Sequence, residues 1–221
     1  VFGGDGTLIY TASLFQARVV PILGVNLGKV GFLAEVSLEE LPQVFELALA
    51  GQLEAVDRMR LHVSARRGER VLLERLVLND AVLGLSGLAR IALFDLRYAS
   101  EFLTSLRGDG VIIATPTGST AYSLAAGGPI LTPALEVMVI TPICPHTLSE
   151  RPLIVSPNQP LEVILSSDGV CITTLDGQVG YEFQRGDRLL VQKAEIPTRL
   201  LRVPKHTFFQ TLRTKLGWGA E

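Results

Sequence analysis

Apolar and polar positions follow two different rhythms along this chain, and the change falls near Met59. Early on, Leu8, Ala12 and Phe15 recur at helical spacing and predict a helix over residues 8–17. Residues 19–25 form an apolar run broken only by Pro21 and Gly24, the pattern of a buried strand. Ser37 and Glu40 have capping-box spacing ahead of a helix to about Ala50, with Pro42 near its start and Gly51 as its stop. Strand, glycine-rich turn and helix in repetition predict a parallel α/β layer over residues 1–58.

Beyond Met59 the segments shorten. Residues 61–65, 71–78, 91–98, 111–115, 137–141, 161–166, 170–175 and 188–193 read as strands, with turn signals such as Ser167-Asp168-Gly169 and Arg185-Gly186-Asp187 between them. That texture predicts an antiparallel β domain over residues 59–202. Residues 117–126 lack β alternation and predict a short helix inside it. Residues 207–216 predict a last helix. Phe208, Phe209 and Trp218 would form an exposed apolar patch in solvent, so residues 203–221 are expected to return to the α/β domain. The fold class expected is thus an α/β N-terminal domain, a truncated parallel layer, plus an antiparallel β C-terminal domain.

Composition narrows the function classes. A chain of 221 residues that is 48% hydrophobic, with 21 glycines and 12 prolines, is folded and turn-rich, not disordered. Net charge is −2 with both signs interspersed, so no basic stripe argues for nucleic acid. No apolar run is long enough to predict a membrane span. Cys144 and Cys171 lack metal-ligand spacing and read as reduced thiols, which suggests a cytoplasmic protein. His62, His146 and His206 show no ligand spacing either, so no metal-ligating residue is expected. Val1 follows no initiator methionine and looks like the tail of a strand, so an upstream segment is expected.

Four stretches could carry chemistry. Gly3-Gly4-Asp5-Gly6-Thr7 is a glycine turn at a helix start, where open N–H groups attract phosphate. Asp5 repels a phosphate unless it takes a proton or holds a metal, so the loop suits phosphoryl transfer as well as an ordinary capped Asp-Gly turn. A second turn, residues 26–33, leaves the end of the buried strand, where open α/β sheets place ligands. Asn79-Asp80 interrupts an apolar run and could clamp an adenine amine or a ribose diol, or mark a bulge. The richest stretch runs from Arg107-Gly108-Asp109-Gly110 through Thr115-Pro116-Thr117-Gly118-Ser119-Thr120-Ala121-Tyr122-Ser123 to Gly127-Gly128-Pro129. Its hydroxyls, glycines and aromatic ring suit a ligand better than a core. Asp176-Gly177-Gln178 reads by default as a hairpin turn.

With these motifs in their order, the chain resembles the NAD kinase family from Val1 to roughly Pro204. The long Thr-Pro-Thr-Gly-Ser-Thr-Ala-Tyr motif is the specific part; the Gly-Gly-Asp-Gly loop is shared with diacylglycerol and sphingosine lipid kinases. The resemblance implies phosphoryl transfer from ATP, or sometimes polyphosphate, to the 2′-hydroxyl of the adenosine ribose of NAD, giving NADP. It implies a divalent metal, usually Mg²⁺, and a homodimer or homotetramer. Asp5 would orient or deprotonate the hydroxyl, with Gly6 beside it on the substrate. Phe32 would sit near the adenine, and Asn79 and Asp80 would hold the adenosine part. Thr120, Ala121 and Tyr122 would line the NAD pocket, and Asp109 would face the nicotinamide end. Ala125 departs from the serine that many relatives carry. The family also has a strand-helix segment ahead of the first loop. A lipid kinase, or a dinucleotide-binding regulator without turnover, are the alternatives; the first would not need Asn79-Asp80, and Asp5 argues against the second.

Overall fold

The computed structural model describes residues 1–28, 31–86 and 91–218. Lys29 and Val30 of the second glycine-rich turn lie outside the described residues. Along the chain the elements are α1 (Asp5–Ser13), β1 (Val25–Asn26), β2 (Val36–Ser37), α2 (Leu41–Leu49), β3 (Glu54–Arg58), β4 (Leu61–Arg67), β5 (Arg70–Val77), β6 (Asp80–Leu85), β7 (Ala92–Tyr98), β8 (Glu101–Gly108) and β9 (Gly110–Ala114). A 3₁₀ turn (Gly118–Thr120) and α3 (Tyr122–Ala125) follow. Then come β10 (Met138–Ile143), β11 (Leu153–Val155), β12 (Leu161–Leu165), β13 (Cys171–Leu175), β14 (Val179–Phe183), β15 (Arg188–Lys193), β16 (Thr198–Arg202) and α4 (Phe208–Leu216). They fall into two compact units, Val1–Arg58 with Ile196–Glu221, and Met59–Glu195.

The first unit is α/β. β1 pairs parallel with β2, and single parallel bridges join Phe2 to Val25 and Ile22 to Leu200. The strand expected over residues 19–25 shrinks to Val25–Asn26 and the Ile22 bridge. Pro21 has no N–H to give a ladder, and a Cβ on Gly24 would lie 2.6 Å from Leu8, so packing leaves no room for a side chain there. α1 starts at Asp5, three residues before the expected start, so the glycine turn supplies the first turn of the helix. The expected Ser37–Glu40 pair forms, with Glu40 Oε2 accepting from the Ser37 N–H and hydroxyl and Ser37 Oγ accepting from the Glu40 N–H, but it closes the turn ahead of α2, whose N-cap is Glu40 with no side-chain cap bond. Val25, Val36, Val44 and Val203 form one buried apolar cluster of this unit, and Leu8, Ala12, Ile22, Ala34 and Leu200 are buried in the unit as well.

The chain re-enters this unit at Ile196, ahead of the residue 203 expected, because β16 pairs antiparallel with β3. A bidentate Arg199–Asp57 pair ties the two strands together at 2.7 and 2.8 Å. Of the three tail aromatics, Phe208 packs its ring 6.1 Å from that of Phe32. Phe209 and Trp218 stay 57% and 53% exposed, against the expectation that all three would pack. On a helix Phe208 shares its face with the buried Thr211 and Leu212, whereas Phe209 points about 100° away.

The second unit is a sandwich of two six-stranded antiparallel sheets, ordered β11-β10-β9-β6-β13-β14 and β5-β4-β15-β12-β7-β8. Its core takes inward residues from both, among them Leu61, Phe94, Ile113, Met138, Val163 and Phe183. β6, β9 and β10 are also buried on their outer face, where Val82, Ile112 and Val139 lie under Leu131 and Ala126. That explains why these strands read as continuous apolar runs without alternation. The helix expected over residues 117–126 is split into the 3₁₀ turn and α3 by Ala121, whose φ and ψ of −99° and −127° are not helical.

Candidate active site

In the first unit the Gly3-to-Thr7 loop leaves the Phe2 bridge and turns directly into α1. Gly4 caps the helix without a side-chain bond, so Asp5 is free to reach away from its own helix. It does so. Its Oδ2 accepts from the Phe32 N–H at 2.8 Å, and its Oδ1 accepts from the Leu33 and Ala34 N–H groups at 3.0 Å each. The first glycine turn is thereby clamped to the second. Gly31 makes this possible, since a Cβ there would lie 1.9 Å from Asp5 Oδ1. The structure therefore brings Asp5, Gly6 and Phe32 together in one unit.

In the second unit Asn79 and Asp80 stand where the chain crosses from one sheet to the other, from the edge strand β5 to the inner strand β6. The pair is neither a bulge nor an edge position. The corner is built from three directions. Thr115 donates its N–H to the Asn79 carbonyl at 2.8 Å and its hydroxyl to the Leu78 carbonyl at 2.6 Å. The same Thr115 Oγ1 accepts from the Gly118 N–H at 3.1 Å. Gly118 in turn presses so closely that a Cβ would meet the Asn79 oxygen at 2.1 Å. The third direction is Asp176, whose Asp-Gly sequence signals only a hairpin turn. Its carboxylate accepts from the N–H groups of Leu78, Asn79 and Asp80 at 2.9, 2.7 and 3.2 Å. With its backbone held on all sides, Asn79 leaves its side-chain Oδ1 buried and without a hydrogen-bond partner. A lone buried acceptor costs roughly 1–3 kcal/mol, which a ligand donor would recover.

The hydroxyl-rich motif supports this corner. Ser119 is fully buried; it donates to the Pro116 carbonyl at 2.7 Å and accepts from the Leu131 N–H at 3.0 Å. Neither Thr117 nor Ser119 makes a side-chain cap on the 3₁₀ turn or on α3. Thr120 and Ala121 are half-buried, and Tyr122 is 48% exposed, so these three offer surface to a ligand. Asp109 marks another sheet crossing, from β8 to β9. Its backbone is paired to Ile143 and Leu85, and the residue itself is exposed.

Burial raises the pKa of Asp80 to about 7, with the neighbouring Asp176 charge adding to the shift. Burial also raises the pKa of Asp176, opposed by its three backbone N–H bonds and by the Arg60 guanidinium. Two buried carboxyls with raised pKa beside one another make this corner a candidate functional site. Among the described residues no three acidic, histidine or cysteine side chains converge as a metal cage. A cavity of about 490 Å³ in the first unit is lined by Glu35, Glu40, His206 and Gln210 among others, and by none of the expected site residues. Among the described residues no helix is long and apolar enough to cross a membrane.

Comparison with known proteins agrees with these motifs. Residues 1–53 match the ATP-NAD kinase N-terminal domain, and residues 78–203 match the ATP-NAD kinase C-terminal domain. The chain is 48% identical to the NAD kinase of Trichlorobacter lovleyi over 99% of its own length and 78% of the relative's. It is 49% identical to that of Geotalea daltonii over the same shares. Yeast NADH kinase complexed with NADH superposes at a TM-score of 0.93 with 30% identity, over 100% of this chain and 65% of the yeast chain. An NAD kinase from Archaeoglobus fulgidus in complex with ATP superposes at 0.82 with 31% identity, over 98% and 81%. The residues, their geometry and these likenesses agree: the chain belongs to the NAD kinase family.

Proposed function

We propose that this member of the NAD kinase family transfers a phosphoryl group from ATP, or from polyphosphate as a second donor, to the 2′-hydroxyl of the adenosine ribose of NAD. The observation that supports NAD as acceptor is the Asn79 side-chain oxygen, buried and unpartnered on a corner held from three sides. An adenine amine is the donor such an acceptor lacks. Asp80 beside it is read as the partner of a ribose hydroxyl. Thr120, Ala121 and Tyr122 are read as lining the dinucleotide pocket, and Asp109 as facing the nicotinamide end. Gly6 is read as offering backbone to the substrate. Phe32 leans one side of its ring on Phe208 and is read as presenting the rest to the adenine.

Asp5 is read as the group that holds or deprotonates the 2′-hydroxyl. A carboxylate has about four acceptor sites, and three N–H groups already occupy it. The remaining site can accept the hydroxyl proton while the clamp fixes the direction of that lone pair. The described residues supply no protein cage for a divalent ion. Mg²⁺ characteristically binds through substrate phosphates plus one or two carboxylates, and would supply charge neutralisation on the donor. A homodimer or homotetramer in the cytoplasm is the working form that goes with this reading. Incubation with NAD, ATP and Mg²⁺, read by an NADP-specific dehydrogenase, should yield NADP. No NADP at any protein concentration would overturn the proposal.

A further inference from the structure

Asp176 lies 96–98 residues from the corner whose backbone it holds, and its neighbours show a turn of ordinary type. Asp176 and Gly177 have φ of +52° and +64°, the two central positions of a left-handed turn that the Gln178 N–H closes onto the Leu175 carbonyl at 3.0 Å, within the three-residue loop between β13 and β14. A turn alone asks nothing of the side chain beyond tolerance of the left-handed region, which glycine and asparagine meet best. Yet both carboxylate oxygens are turned back onto three consecutive N–H groups, and the Asp176 N–H donates to the Asp80 carbonyl at 2.9 Å. Three successive donors on one carboxylate make a rigid cradle. It fixes the peptide planes on both sides of Asn79, and with them the point and direction from which the side chain bearing the orphaned oxygen leaves the backbone.

We infer that Asp176 is a positioning residue for the dinucleotide, acting through the backbone of Asn79 and Asp80 and not by touching the ligand. The inference rests on the reading that Asn79 contacts the adenosine half of NAD. Fixing one acceptor in advance lowers the ordering cost at the moment of binding. It acts on the acceptor nucleotide and not on the phosphoryl donor, so its loss should weaken NAD binding selectively.

The test compares Asp176→Gly, Asp176→Asn and Asn79→Ala in the full chain, with melting temperature as a check of folding. Glycine and asparagine both keep the left-handed turn, so a turn-only role leaves NAD affinity within about twofold of wild type in both. The positioning role predicts a rise of tenfold or more in the NAD dissociation constant and KM for Asp176→Gly. It predicts a smaller rise for Asp176→Asn, which keeps one acceptor oxygen, and a KM for ATP unchanged within twofold in both. In an Asn79→Ala background Asp176→Gly should add little, because the group it aims is gone. Full additivity of the two substitutions, or equal losses for NAD and ATP, would overturn the inference. If Asn79→Ala weakens NAD and the two Asp176 variants do not, the positioning role alone falls. If Asn79→Ala leaves NAD affinity intact, the contact it depends on falls with it.

Discussion

Asp5 and Gly31 fill one another's space: a single methyl group on Gly31 would lie 1.9 Å from the Asp5 Oδ1 atom. The aspartate can reach the N–H groups of residues 32–34 only because Gly31 has no side chain. Gly31→Ala is therefore expected to release the carboxylate, lowering stability by about 1–3 kcal/mol through overpacking and the lost bonds. It should also lower kcat, since the released carboxylate loses its fixed direction. Urea unfolding and steady-state rates on the same preparation check both effects; an alanine variant with normal turnover would show that the clamp is not needed for catalysis.

Asp5→Asn separates chemistry from capping. Asparagine keeps one acceptor oxygen, so part of the clamp survives, but it accepts no proton. General-base assistance is worth about 10²–10⁴ in rate, so kcat should fall at least about a hundredfold, with NAD affinity little changed. Near-normal turnover at saturating NAD, ATP and Mg²⁺ would remove Asp5 from the chemistry and leave it a structural clamp.

Asn79→Ala deletes the orphaned acceptor. If a ligand amine pairs with it, that amine is left unsatisfied, at roughly 1–3 kcal/mol. NAD affinity should then drop by about tenfold or more on that scale. Stability should hold or rise slightly, because the free protein loses an unpaired buried oxygen. Titration calorimetry showing wild-type affinity refutes the contact.

Gly118→Ala acts on the same corner from the other side. Its Cβ would meet the Asn79 carbonyl oxygen at 2.1 Å, an overlap with backbone that no rotamer change relieves. A loss of about 1–3 kcal/mol is expected from overpacking, together with weaker NAD binding as Asn79 is displaced. Differential scanning fluorimetry with and without NAD reads the two together; an unchanged melting temperature would show that the corner yields.

Asp80 has its pKa raised to about 7 by burial first and the Asp176 charge second, and Asp176 is shifted in the same direction. A raised carboxyl pKa means that the folded chain keeps a proton that the unfolded chain releases near pH 4. Stability is thus fullest at low pH and is lost as pH climbs from about 4 to about 7, by up to about 4 kcal/mol for Asp80. Asp80→Asn, which cannot ionise, should flatten that part of the curve. Urea midpoints measured from pH 4 to 8 check it, and equal slopes in the two proteins would refute the shift.

The strands of the second unit were legible where apolar runs were unbroken. β9, β10 and β12 could be read directly because their inward residues must be apolar whatever their partners. β8 and β14 were missed, since each sits at a sheet edge where most residues face solvent and no alternation is enforced. β6 was hidden by its junction with β5, because Asn79-Asp80 looked like an interruption of one strand when it is the crossing between two sheets.

The motifs were legible for a different reason. A glycine turn with an aspartate, and a run of hydroxyls between glycine corners, are local patterns whose residue types narrow the chemistry before any fold is known. What those residues touch was not local. The acceptor atoms of Asp5 meet donors 27–29 residues away, and those of Asp176 meet donors 96–98 residues away. Composition and periodicity govern which face of an element is buried, and so determined the α/β layer, the antiparallel β domain and the candidate loops, while the division of that domain into two packed sheets came only with the fold. Pairing between remote backbone groups depends on strand register and turn geometry, which many sequences share. Only the folded chain decided that one hairpin turn holds Asn79 in place and that Gly31 makes room for Asp5.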